Sequence, residues 1–243
     1  MSNSLAKLEN LIGYKFTDVT ILKRSVTHRS WAYEKITNGN DDEVRLLQNE
    51  TLEFVGDSVL GLVIAEELYR SNPTLSEGDL TLMKHHLVSS DTLAQIAKDI
   101  NLGKYMRVGK GEEKTGGRRK QALLADTLEA VIAAVFFDSG YIQARAFIQR
   151  IFKDKLKEVT PVSSLDFKTL LQEKLQSEKR SAPVYKVIKT DGPSHNRVFF
   201  VEAKWDNGTT QGSGTSIKSA EMEAANLALK QIEKETKKQS QKV

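Results

Sequence analysis

Glu50, Glu53 and Asp57 fall at i, i+3 and i+7 within NETLEFVGDSVL, residues 49–60. On an α-helix this spacing puts three carboxylates on one narrow face. Leu52, Val55 and Val59 point elsewhere and are free to be buried. The nearest basic residues along the chain are Arg45 and Arg70, so no local cation offsets the repulsion among the acids. An oxygen-preferring divalent cation, Mg²⁺ or Mn²⁺, would hold such a group together. The alternative is a solvated acidic stripe on a surface helix. The apolar residues between the acids weigh against it. Gly56 sits beside Asp57 in mid-helix, where glycine costs roughly 1 kcal/mol relative to alanine. A glycine retained there marks close approach of another backbone or a ligand.

A second acidic pair, Asp126 and Glu129, stands at i and i+3 in QALLADTLEAVIAAVFF, residues 121–137. These are the only charges of a helix that is apolar nearly all round. Two acids in such a setting are costly unless they are paired or coordinated. Other metal chemistries are poorly served. There is no cysteine, which excludes disulfides and thiolate zinc sites. His28 has no second histidine at ligand spacing and reads as a buried, hydrogen-bonded side chain. His85 and His86 are adjacent and face different directions on a helix.

The elements that must carry these acids follow from periodicity and caps. An amphipathic helix spans 3–12 and ends at Gly13; a second, capped by Thr17 or Asp18, spans 19–28. Residues 37–48 read as a polar loop, and Asn49 as a residue that caps the first acidic helix or orients its first acid; that helix stops at Ser71-Asn72-Pro73. Two helices follow, one capped by Ser76 with Asp79, the other by Ser90 or Asp91. Residues 103–120 hold five glycines and a basic cluster and read as a loop that contacts phosphate or leads into the second acidic helix. Another helix covers 138–158.

The pattern then changes. Residues 159–164 read as a linker. Beyond it come a helix at 165–177, the alternating segments VYKVIKT, RVFFVEAKW and TTQGSGTS with turns at 191–193 and 206–208, and a last helix up to residue 235. The expected fold is therefore an all-α domain over 1–158 and an α+β (α-β-β-β-α) domain over 165–235, followed by a polar, disordered tail at 236–243. Formal net charge is +4. Residues 161–243 carry fourteen Lys/Arg against ten Asp/Glu, whereas 1–160 carry twenty-two of each. The positive surplus thus lies in the smaller domain and suits a polyanion partner.

NETLEFVGDSVL resembles the signature of the ribonuclease III family, usually NERLEFLGDSVL, with departures at Thr51 and Val55. The THRS of residues 27–30, the EGD of 77–79, and LADTLEAVIAAVFFD, similar to the family's LADTFEAIIGAIYLD, extend the likeness. GPSHNRVF and GSGTSIKSAEMEAA resemble the double-stranded-RNA-binding domain, with Ile217 where the first of two lysines is usual. The resemblance implies an endonuclease domain joined to an RNA-binding domain. It implies Glu53, Asp57, Asp126 and Glu129 as Mg²⁺ (or Mn²⁺) ligands, with Asp57 and Glu129 catalytic, and Glu50 and Glu77 in a secondary acidic site. It implies a homodimer with Phe54 at its interface, cutting both strands of an RNA duplex to 5′-phosphate and 3′-hydroxyl ends with short 3′ overhangs, in ribosomal and messenger RNA processing. Gln172, Gln176 and His195 are the candidates for minor-groove contact and Lys218 for phosphate. The competing reading is a non-catalytic double-stranded-RNA-binding protein, for which retention of all four ligand acids would be unnecessary. No apolar run approaches the roughly 20 residues that span a bilayer, and no secretory signal is evident, so a cytoplasmic location is expected.

Overall fold

A computed structural model describes residues 2–36, 41–193 and 197–240. The chain divides into two compact units, Met1–Ser164 and Leu165–Val243.

The first unit is helical: α1 (Ser2–Ile12), α2 (Val19–Ser25), α3 (Arg29–Lys35), α4 (Asp41–Leu47), α5 (Glu50–Ser71), α6 (Glu77–Leu87), α7 (Ser90–Asp99), α8 (Lys110–Lys114), α9 (Gln121–Ile151) and α10 (Lys153–Glu158). Its spine is the α5–α9 pair. Helix α5 buries Leu52, Gly56, Val59, Leu60, Val63, Ile64 and Leu68. Helix α9 is buried at every position from Leu124 to Val135 except Asp126 and Glu129. Ala130 and Ala133 meet Leu52 at one end of the seam. Leu8, Ile12, Leu22, Met83, Leu93, Phe147 and Phe152 close the core around it. Gly140, at φ 76° and ψ −175°, breaks α9 into two helical runs, near the division expected at residue 138.

Side-chain caps fix several helix starts. Asp18 accepts from the Thr20 N–H, and Ser76 from the Asp79 N–H. Four expectations are corrected. Helix α2 ends at Ser25, and His28 starts α3 by accepting from the Ser30 N–H. The cap of α7 is Ser89, one residue earlier than expected. Residues 41–47 are helical, with Asp41, Asp42 and Glu43 in the first turn, where the helix dipole favours acids; residues 37–40 lie outside the described residues. The 103–120 segment holds the short α8 and two 3₁₀ turns, at Leu102–Lys104 and Gly117–Arg119.

The second unit has α11 (Phe167–Ser177), β1 (Val184–Asp191), β2 (Val198–Trp205), β3 (Gly208–Gly214) and α12 (Ile217–Ser240). The sheet is antiparallel in the order β1-β2-β3. Both helices pack with it around Leu171, Leu175, Trp205, Ala225, Ala228 and Ile232. Gly212 lets β3 lie directly on α12, for a Cβ there would collide with the backbone of Ala220 and Ala224. Helix α12 runs to Ser240, past residue 235 and through most of the expected tail. With neither Gly nor Pro in the way, each further residue adds one hydrogen bond to an existing helix. Residues 241–243 lie outside the described residues.

Gly56 explains the closeness of the two acidic helices. A Cβ at this position would overlap the backbone carbonyl of Glu129. Gly56→Ala must therefore push α5 from α9, at an overpacking cost of roughly 1–3 kcal/mol. Thermal denaturation should show a fall of about 3–10 °C in Tm. A variant as stable as the parent would mean that the seam can relax without cost.

Candidate metal centre

The α5–α9 seam brings together carboxylates more than seventy residues apart. Glu53, Asp126 and Glu129 each present a ligand atom, all within 4.8 Å of one another. All three side chains are half-buried. Glu53 stands on the first turn of α5; Asp126 and Glu129 are one turn apart on α9, beside the buried Leu124, Ala125, Leu128 and Ala130. Asp57, one turn along α5 from Glu53, is exposed and outside this three-oxygen group, though its charge acts on both Glu53 and Glu129.

The electrostatic cost of the cluster is visible in its ionisation. Burial pushes the Glu129 carboxyl up to about 8, and the charges of Asp57, Glu53 and Asp126 add to the effect. Burial likewise raises Glu53 to about 7, with Asp126, Glu50 and Asp57 contributing. Asp126 is also raised by burial, partly offset by His28. Among the described residues, no ion pair is formed by Glu53, Asp126 or Glu129. Three convergent, partly desolvated carboxylates that form no ion pair fit a hard divalent cation, whose charge would restore the ionised state.

Glu50 stands apart from the triad. Its Oε1 pairs with Arg29 at 3.3 Å and its Oε2 accepts from the Gln48 amide at 2.8 Å. The expectation that these acids lack a cation holds for the local sequence only, since Arg29 arrives from α3. Asn49 makes no side-chain cap; instead Gln48 Oε1 accepts from the Glu50 N–H at 2.7 Å. Nor is position 51 without a cation nearby. Arg24 of α2 donates to Thr51 Oγ1 at 2.7 Å and to the carbonyls of Gln48 and Arg45 at 3.1 and 3.2 Å. Glu77, exposed in the first turn of α6, accepts from Thr81 at 3.0 Å and is not among the three clustered acids.

His28 was legible only as a structural histidine. It is half-buried, and the charges of Glu112, Glu50 and Asp126 act on it, with burial lowering its pKa most strongly. Its backbone N–H donates to the Arg107 carbonyl, and the Arg107 N–H donates to the Val26 carbonyl, at 2.9 and 2.7 Å. The Arg107 guanidinium lies 3.4 Å from the centre of the Trp31 ring. Gly109 N–H donates to Ser30 Oγ at 2.9 Å. These links fasten the 107–110 segment to the THRS element and so fix one rim of the acidic site.

In the second unit, Gln172 and Lys218 line one cleft of about 440 Å³ with Lys168, Tyr185 and Glu221. Gln176 is exposed one turn further along α11. His195 lies outside the described residues. Lys168 joins the two helices through a 2.5 Å pair with Glu221 and sits 4.7 Å from the centre of the Tyr185 ring. Burial raises the Tyr185 phenol to about 12.

Known proteins share both units. The family profile described as Ribonuclease-III-like matches residues 18–156, and that described as double-stranded RNA binding motif matches residues 167–232. Ribonuclease 3 of Syntrophotalea carbinolica is 42% identical over 234 residues, covering 96% of this chain and 98% of that protein. Ribonuclease 3 of Dehalococcoides mccartyi is 40% identical over 231 residues, covering 94% and 95%. The nuclease domain of ribonuclease III from Campylobacter jejuni is similar in structure, with a TM-score of 0.56 and 33% identity over 62% of this chain and 96% of that one. With the acidic helices, their spacing and the appended α-β-β-β-α unit all in place, this chain belongs to the ribonuclease III family.

Proposed function

We propose that this protein is an endoribonuclease that cuts double-stranded RNA with the help of Mg²⁺ or Mn²⁺. The observation that carries this reading is the convergence of Glu53, Asp126 and Glu129 in an otherwise apolar seam, in a chain that also holds a double-stranded-RNA-binding unit. A purely binding protein would gain nothing from three mutually repelling, partly buried acids, so the catalytic reading is preferred to the non-catalytic one.

Glu53, Asp126 and Glu129, with Asp57 at the rim, would hold the cation. When bound, a divalent cation supplies Lewis acidity, activation of water and neutralisation of phosphate charge. The chain's own part is to fix the oxygens. Gly56 sets the helix separation, Leu52, Ala130 and Ala133 exclude water from one side, and Asp57 and Glu129 impose the charge that favours cation binding. The second unit would hold the duplex by its shape, through Gln172, Gln176, His195 and Lys218, with little sequence readout. Its products would be 5′-phosphate and 3′-hydroxyl ends with short 3′ overhangs, and its work the processing of ribosomal and messenger RNA in the cytoplasm. Among the described residues no helix is long and apolar enough to cross a membrane.

Cutting both strands calls for two sites and hence a homodimer. Phe54, 76% exposed on α5, supports this assignment, and Leu62 and Tyr69 are exposed on the same helix. A large aromatic left in water beside an acidic site is better explained by a partner surface than by solvent.

Three outcomes follow. Glu129→Gln keeps the shape and removes one ligand charge, so the variant should fold, bind duplex RNA normally and cleave it at least a hundredfold more slowly. Cleavage and gel-shift assays on one preparation decide this, and near-normal cutting would remove Glu129 from the site. Deleting residues 165–243 leaves the acids but removes the duplex-binding unit. Cleavage should then persist only at low salt, because phosphate contacts weaken as salt rises; full activity at about 150 mM salt would show that the helical unit grips RNA unaided.

The third concerns pH. Glu129 and Glu53, raised to about 8 and about 7 from 4.5, keep protons in the folded chain that the unfolded chain releases. In the metal-free protein their contribution to stability is therefore fully present below about pH 4.5 and is lost as pH rises through about 7 and about 8. Tm in EDTA should fall across that window beyond what other groups impose, Mg²⁺ should restore it most at the alkaline end, and Glu129→Gln should flatten the profile. Parallel profiles for parent and variant would contradict the assignment.

A further inference from the structure

We infer that Gln48 is a positioning residue for the acidic site, holding Glu50 directly and Glu53 through the first turn of α5; this rests on the metal-centre reading above. Gln48 is only 2% exposed, unusual for a long polar side chain, and it is engaged at every polar group of its amide. Its Oε1 accepts from the Glu50 backbone N–H at 2.7 Å, and its Nε2 donates to Glu50 Oε2 at 2.8 Å. One side chain thus grips the main chain and the carboxylate of the same residue. This leaves Glu50 little rotational freedom, and Arg29 holds the other oxygen at 3.3 Å.

Gln48 is itself anchored. Arg24 Nε donates to its carbonyl at 3.1 Å, while Arg24 Nη2 donates to the Arg45 carbonyl and to Thr51 Oγ1. Helix α2 is therefore linked through Arg24 to the α4–α5 corner, and through Gln48 to Glu50. The next turn continues the chain of constraints, because the Asn49 carbonyl accepts from the N–H groups of both Leu52 and Glu53 at 2.9 Å. Releasing Gln48 would free the N–H of Glu50, unpin its carboxylate and loosen the turn that aims Glu53 at Asp126 and Glu129. A group that orients metal-site carboxylates in this way commonly changes metal affinity or activity 10–100-fold when removed.

The test separates holding a carboxylate from merely stabilising a helix. Gln48→Met keeps the volume and removes both hydrogen bonds. Mn²⁺ and Mg²⁺ binding to the RNA-free protein is measured by titration calorimetry, alongside the Mg²⁺ dependence of duplex cleavage. The same is done for Glu50→Ala, for the double variant, and for Ile12→Val as a mildly destabilised core control far along the chain. Gln48→Met should weaken metal binding about tenfold and raise the Mg²⁺ needed for half-maximal cutting to match, while Ile12→Val changes neither. In the Glu50→Ala background, Gln48→Met should still weaken metal binding, though less than in the parent, since the carboxylate it grips is gone but its bond to the residue-50 N–H, which holds the turn that aims Glu53, remains. Should Gln48→Met fail to fold, Gln48→Asn, whose amide falls one methylene short, carries the same expectation. Parental metal affinity in the Gln48 variants, a full additive effect in the double variant, or an equal loss in Ile12→Val would each overturn the inference. Absence of metal binding by the parent protein would instead overturn the metal-centre reading, and the role of Gln48 with it.

Discussion

The contact between Gly56 and the Glu129 backbone sets the geometry on which the rest depends. Two helices that each carry buried side chains ordinarily keep their axes 8–10 Å apart. Here a missing Cβ on α5 faces a main-chain carbonyl of α9, and alanines flank the contact. The closeness is what allows Glu53, from one helix, to share a space under 5 Å across with Asp126 and Glu129 from the other. A wider seam would separate the acids into two ordinary surface pairs. The glycine costs helix propensity locally and gains proximity globally.

That proximity is costly in the absence of a cation. Burial is the largest cause of the raised ionisation of Glu53 and Glu129, and mutual repulsion adds to it. The surrounding core of leucine, valine and alanine must hold the acids against this repulsion, which accounts for the almost complete burial of α9 between Leu124 and Val135. The rim is managed differently. Glu50 is satisfied by Arg29 and Gln48, and Glu112 by Lys120. Among the described residues, Glu50 and Glu112 thus receive protein cations, whereas Glu53, Asp126 and Glu129 form no ion pair, and the proposed metal site rests on this contrast.

The links from α2, α3 and the 107–110 segment show how a rigid rim is built from parts distant in sequence. The reciprocal backbone bonds between 26–28 and 107, the Arg107–Trp31 stack and the Ser30–Gly109 bond hold His28 within electrostatic reach of Asp126. In the second unit the same economy appears on a smaller scale. Gly212 admits α12 onto β3, and a cleft lined by the starts of α11 and α12 brings Gln172 and Lys218 together from the two helices.

The sequence by itself determined the helices that carry the acids and the α-β-β-β-α order of the second unit, because those segments have strong periodicity, clear breakers and matched turn residues. It also marked Glu50, Glu53, Asp57, Asp126 and Glu129, since charges in apolar helices are conspicuous, of which only Glu53, Asp126 and Glu129 converge within 4.8 Å, and it marked Gly56 as a point of close approach. It did not reveal what approached. The tertiary structure decided that the approaching group is the Glu129 backbone, that Asp57 is exposed outside the clustered acids, that Gln48 rather than Asn49 supplies the side-chain bond at the start of α5, and that Arg24 and Arg29 serve the acidic corner. Apart from the Gln48 bond, which spans two residues, those facts depend on groups brought together by packing across many residues, and neither spacing nor periodicity encodes such pairings. The same limit explains α4 and the end of α12: their polar sequences lack an apolar period, and their helicity rests on local dipole and propagation energies too small to read from pattern alone.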